Sequence, residues 1–134
     1  MGAQIAPLLA VSDENKAISF YKAAFGATVA WHMDPTGQLI AALSIDGAQF
    51  FLSRESTPPG NRGSASQSVT PVKIQLFVDD PMAAHRKAIA AGAVEREAVR
   101  EHDRGTQSRA VKRMLQGVLV DPFGHVWLVG KFLE

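Results

Sequence analysis

The sequence predicts an α+β fold made of two β-α-β-β-β modules, with mixed curved sheets enclosing a cavity and the helices outside. Three observations carry this. A strand–acidic cap–helix–glycine pattern occurs twice at nearly equal spacing, first from Val11 to Gly26 and again from Val78 to Gly92. Each copy is followed by three strand-like segments separated by turn sequences. Between the copies lies a Ser/Pro/Gly-rich stretch without hydrophobic periodicity, the composition of a linker.

The elements follow in order. Ile5–Val11 is an apolar run that reads as the first strand. Ser12 and Asp13 can accept hydrogen bonds from the first free amides of a helix, and Ala17, Ile18, Tyr21, Ala24 and Phe25 form one apolar stripe along it. Gly26 supplies the left-handed exit. Strand-like segments follow over Thr28–Met33, Gln38–Ile45 and Gln49–Ser53. Asp34-Pro35-Thr36-Gly37 and Asp46-Gly47 make the turns. In the second module Val72–Val78 is the strand, Asp80 the N-cap, Pro81 the first helical residue and Gly92 the stop. Val94–Val99, Lys112–Val120 and His125–Phe132 complete it, the last two joined by Asp121-Pro122-Phe123-Gly124. The expected organisation is one domain over 1–134: module 1 at 1–53, linker at 54–70, module 2 at 71–134.

Composition excludes several classes. Without cysteine there is neither a disulfide scaffold nor a thiolate metal site, which fits a reducing cytoplasm. No segment approaches the roughly 18 to 20 apolar residues of a membrane helix, and the N-terminus lacks a basic, apolar leader. A net charge of +1 with interspersed signs gives no footprint for nucleic acid. The stretch from Arg96 to Arg113 is rich in arginine but interleaved with Glu97, Glu101 and Asp103, so it reads as a solvated loop and strand edge rather than a phosphate site. His32, His85, His102 and His125 share no i, i+4 spacing, so no helical metal pair exists, and His125 beside its turn suits a structural hydrogen bond.

Ala-Ile-Ser-Phe-Tyr-Lys-Ala-Ala-Phe-Gly-Ala (17–27), Leu-Phe-Val-Asp-Asp (76–80), Ala-Ala-Gly-Ala (90–93) and Asp-Pro-Phe-Gly-His-Val-Trp (121–127) resemble the vicinal oxygen chelate superfamily, the glyoxalase, bleomycin-resistance and dioxygenase group. The similarity is greatest to its PhnB-like branch. Metal-dependent members carry one ligand on each of four strands, and the resemblance sets those positions at Ala6, at or beside Phe51, at Lys73 and at Leu128, with only Gln49 and Gln75 as polar neighbours one register away. Ala, Phe and Leu offer no donor, and an ammonium must lose its proton before coordinating. The resemblance thus implies a cavity without the usual metal, no cofactor and no assigned catalytic residue.

Strand alternation from these positions turns Leu8, Ala10, Gln75, Phe77, Val126, Leu128 and Gly130 inward, with Trp127 and Val129 on the helix side. The expected ligand-binding residues are Trp31, Phe51, Lys73, Gln75, Phe77 and Leu128, with either Trp31 or His32 inward by parity. Such an apolar surface with few polar groups suits a small molecule. A lysine buried there would be a salt-bridged group first, an anion anchor second and a general base third. The leading expectation is a metal-free binding protein, a homodimer as the resemblance implies, that sequesters an apolar or aromatic antibiotic. The alternative is a lyase-, isomerase- or dioxygenase-type enzyme with unconventional metal ligands.

Overall fold

The computed structural model describes residues 2–32, 39–55, 72–103 and 113–133. Two four-stranded mixed sheets and two helices make the predicted α+β fold. The first module runs β1 (Leu8–Val11), α1 (Glu14–Phe25), β2 (Thr28–His32), β3 (Leu39–Ile45) and β4 (Ala48–Arg54). The second runs β5 (Lys73–Phe77), α2 (Pro81–Ala91), β6 (Val94–Asp103), β7 (Arg113–Val120) and β8 (Val126–Leu133). Strand orders β1-β4-β3-β2 and β5-β8-β7-β6 are the same arrangement twice, the first strand of each module lying parallel to its last.

The caps form as the residue types require. Asp13 accepts from the Lys16 amide at 3.0 Å and Asp80 from the Ala83 amide at 3.1 Å. Gly26 takes a φ of 69°, the left-handed conformation that lets its amide close the helix onto Lys22. Asp46 and Gly47 both have positive φ, 50° and 90°, as a two-residue hairpin turn demands. Boundaries differ from expectation in modest ways. The first strand begins at Leu8 rather than Ile5, although the Phe51 amide still reaches the Pro7 carbonyl at 2.8 Å. The sixth runs to Asp103, four residues beyond the expected Val99, because shifts in register against β7 let it continue past its irregular middle. The turn expected at 34–37 and nearly all of the expected linker lie outside the described residues.

The helix-packed faces of both sheets feed one core. Leu9, Val11, Ala41, Leu43, Phe50 and Leu52 enter it from the first sheet, and Leu119, Trp127 and Val129 from the second. Tyr21, on α1, touches Phe50 at 5.3 Å between ring centroids and Trp127 at 5.8 Å. Phe50 and Trp127 meet each other at 5.8 Å. The modules are therefore joined through their helix sides, and Trp127 is core, as its parity requires.

The join is polar as well as apolar. Asp121 is buried at 4% exposure. One carboxylate oxygen accepts from the amides of Phe123 (2.9 Å) and His125 (3.0 Å), pinning the β7–β8 turn. The other accepts from Trp127 Nε1 (2.9 Å) and, in a short hydrogen bond, from the Tyr21 hydroxyl. Burial, the Asp121 charge and that hydrogen bond together raise the Tyr21 pKa well above its usual value near 10. His125 Nε2 lies 2.7 Å from the Ala10 carbonyl, a second tie from β8 to the first module and the structural role its position suggested.

A joint on the helix sides turns the opposite faces outward. The faces expected to enclose a cavity are open within one chain: Leu8 is 58% exposed, Trp31 39%, Phe77 52% and Phe132 48%. The sequence shows that each sheet has an apolar face free of helix, but the direction in which the two sheets face depends on contacts between residues a hundred positions apart, such as Tyr21 with Asp121.

Candidate functional site: two helix-free sheet faces

On the first sheet, register aligns Leu8, Phe51, Ala42 and Trp31 in one row across all four strands. Ala42, the small member, leaves room for Trp31 and Phe51 to approach over it, ring centroids 5.8 Å apart at 46°. A shift in register between Val29 and Trp31 decides which of Trp31 and His32 faces this side. Trp31 does. His32 pairs instead with Glu14 of α1 at 2.5 Å, and Arg54 reaches the same carboxylate at 3.2 Å.

On the second sheet, Lys73, Gln75 and Phe77 alternate with Ile74 and Leu76, which pack against the core. Leu128 lies between Gln75 and Val118 in register. Phe77 stacks on Phe132, centroids 5.1 Å apart and planes within 24°. Sequence reasoning omitted Phe132, yet it stands two residues beyond Gly130 on the inward parity of β8.

The six expected residues thus form two groups, Trp31 with Phe51 on one sheet and Lys73, Gln75, Phe77 and Leu128 on the other. One expectation needs correction. Lys73 is exposed rather than buried, so it needs no salt bridge to be tolerated there. Its reach suits an anion at the rim of the face.

Gln116, also omitted, is the most unusual polar residue on this side. It is 6% exposed, and among the described residues its Oε1 has no hydrogen-bond partner. A polar residue at inward parity within the apolar strand Met114–Val120 was the signal for it.

At the positions that the resemblance assigns to metal ligands stand Ala6, Phe51, Lys73 and Leu128, whose donor chemistry does not fit a divalent ion. Among the described residues no three His, Cys, Asp or Glu side chains converge as a metal site.

Two recesses open at the surface, the second of them on the helix-free side of the first sheet around Phe51. One of about 720 Å³ lies between α1 and the β7–β8 turn, against Phe20, Pro122 and Phe123. The other, of about 740 Å³, lies beside the N-terminal segment and includes Ala6, Gln49 and Phe51. The first contains none of the six expected residues, and none of its lining residues has a buried side-chain atom lacking a partner. The helix-free faces are therefore the better candidates, since they hold both the exposed aromatic rings and the unpartnered amide.

Two β-α-β-β-β modules, each with its first strand parallel to its last, define a class of protein, the glyoxalase-type scaffold. Residues 8–129 match the family model described as a glyoxalase-like domain, and the chain belongs to that family. It is 35% identical to the uncharacterized protein Mb0911c of Mycobacterium bovis over 133 residues, covering 95% of this chain and 82% of that one. Among solved structures, TioX from Micromonospora sp. ML1 superposes with a TM-score of 0.70 at 21% identity, covering 98% of this chain and all of TioX (100%). A glyoxalase/bleomycin resistance protein/dioxygenase from Alicyclobacillus acidocaldarius superposes with a TM-score of 0.67 at 15% identity, covering 97% and 91%. These likenesses establish the superfamily fold. No helix among the described residues is long and apolar enough to cross a membrane.

Proposed function

We propose that this chain is a metal-free protein that binds an apolar or aromatic small molecule, of the kind that sequesters an antibiotic, and that a second copy of the chain completes its cavity. The motif set most resembles the PhnB-like branch, and the absence of cysteine suits the cytoplasm. The observation that carries the reading is the pair of aromatic clusters, Trp31 beside the half-buried Phe51 and Phe77 on Phe132, whose exposed rings stand on faces that no helix covers. Large rings left in water at this density are typical of binding surfaces rather than of ordinary monomer exteriors. The donor-free metal positions favour holding a molecule over transforming it.

Two measurements test this. Trp31 is 39% exposed and Trp127 only 2%, so fluorescence changes on titration report the helix-free face. A saturable change with at least one member of a panel of aromatic and peptide antibiotics supports the reading, and a flat response to all of them overturns it. Stoichiometric transition metal in protein purified without chelators would instead favour the enzymatic alternative. Sedimentation equilibrium of the wild type tests the second copy, with a dimer expected and a monomer contradicting it.

A further inference from the structure

The helix-free face of the second sheet distributes its charges unevenly. Register lays the face out in rows across the four strands. Lys73 shares its row with Val126, Val120 and Val94. Glu97 ends the next row, which begins at Gln75, and Arg100 ends the third, which begins at Phe77. Arg100 therefore has a carboxylate one row away on its own strand. Lys73 has no such neighbour, because Glu97 stands three strands across, about 14 Å off. Among the described residues no acid stands nearer on this face, and Lys73, exposed at its edge, makes no ion pair.

An apolar span leads from this ammonium to the exposed rings. Phe77 stands four residues along β5 from Lys73, about 13 Å away, and its half-exposed ring stacks on Phe132. Leu128 lies beside Gln75 in the middle of the span. Gln75 donates to the Leu128 carbonyl at 3.3 Å, which lays its side chain along the sheet between the two ends. The flexible four-carbon stem of Lys73 lets its charge swing over the same span. We infer that the ligand of this face is an aromatic acid, whose flat ring system lies over Phe77 and Leu128 and whose anionic group ends at the Lys73 ammonium. The rings supply contact area, and the ion pair selects the charge. This rests on the reading of the helix-free faces as a ligand surface and adds to it the charge that the ligand must carry.

2-Naphthylacetate and 2-naphthylacetamide are suitable probes, because they share ring system and shape and differ by one negative charge. Each is titrated into the wild type, Lys73→Met, Lys73→Arg and Arg100→Met, and the amide NMR shifts of Gln75, Phe77 and Leu128 give the dissociation constants. The wild type is expected to prefer the acid by roughly two- to fivefold in low salt, the worth of one exposed ion pair. That preference disappears in Lys73→Met, returns in Lys73→Arg and survives in Arg100→Met. Salt at about 1 M removes it from the wild type as well, since screening then acts within about 3 Å.

Equal affinities in the wild type at low salt, or a preference that outlasts Lys73→Met, overturn the role of Lys73 and leave the aromatic surface standing. A preference that Arg100→Met removes also overturns it, since the anion then answers to the charge of the whole face or to β6. Failure of both probes to shift these amides in any of the proteins removes the ligand surface itself, and this inference with it.

Discussion

Replacing Asp121 with alanine should uncouple the two modules more severely than any surface change. Its carboxylate serves four donors, the Tyr21 hydroxyl, Trp127 Nε1 and the amides of Phe123 and His125. Tyr21 and Trp127 are 0% and 2% exposed, so water cannot replace the lost acceptor at either side chain without a rearrangement. Orphaning a buried donor costs about 1–3 kcal/mol, and hydrogen bonds to a charged group are at the upper end of the range. Two fully buried donors and two partly relieved amides make the expected loss about 3–5 kcal/mol. For a chain of this size that lowers the melting temperature by about 10–20 °C. Thermal and urea unfolding by circular dichroism measure it, with the urea slope checked for constancy. Asp121→Asn should fall about midway, because its amide nitrogen replaces an acceptor where donors converge. A loss below about 1 kcal/mol in Asp121→Ala would mean that the four contacts do not act in the folded protein.

Three further outcomes follow from the same packing. Tyr21 holds its proton more tightly when folded than when unfolded. Its stabilising contribution is therefore complete below about pH 10 and declines as pH rises from there; alkaline unfolding should soften in Tyr21→Phe, and an unchanged profile would argue against this assignment. A Cβ at Gly117 would meet His85 Nδ1 and Val99 Cγ2 at 2.8 Å each, so Gly117→Ala should lose about 1–3 kcal/mol in a urea melt. Phe77→Asp removes a ring that is 52% exposed in the single chain, forfeits roughly 2 kcal/mol of apolar burial per copy and adds a charge, so it should shift a dimer towards monomer in sedimentation.

Features set by local chemistry were legible in the sequence. Asp13, Asp80, Gly26 and Gly92 cap their helices because these side chains and backbones satisfy free amides and carbonyls at short range. Alternation along a strand is equally local, so Gln75, Phe77, Leu128 and Trp127 could be assigned to a face. Register shifts are not written in alternation. The one between Val29 and Trp31 settled whether Trp31 or His32 faced the site, and those in β6 extended that strand. Asp121 read as a turn residue because its bond to Tyr21 spans a hundred positions. Gln116 passed as part of an apolar strand because its isolation emerges only once Gly130 and Gln75 stand beside it. The facing of the two sheets belongs to the same class, since it depends on which sides of the modules pack together.

On that facing turns the proposal that Trp31 and Phe51 on one sheet, and Gln75, Phe77 and Leu128 on the other, would form one ligand surface once a second copy of the chain closes it. Amide and indole NMR shifts during titration with an antibiotic that quenches Trp31 test this directly. The Trp31 indole signal and the Gln75, Phe77 and Leu128 amides are expected to move together along one binding curve. Shifts confined to a single sheet, or centred on the cleft beside Phe20 and Phe123, would contradict it.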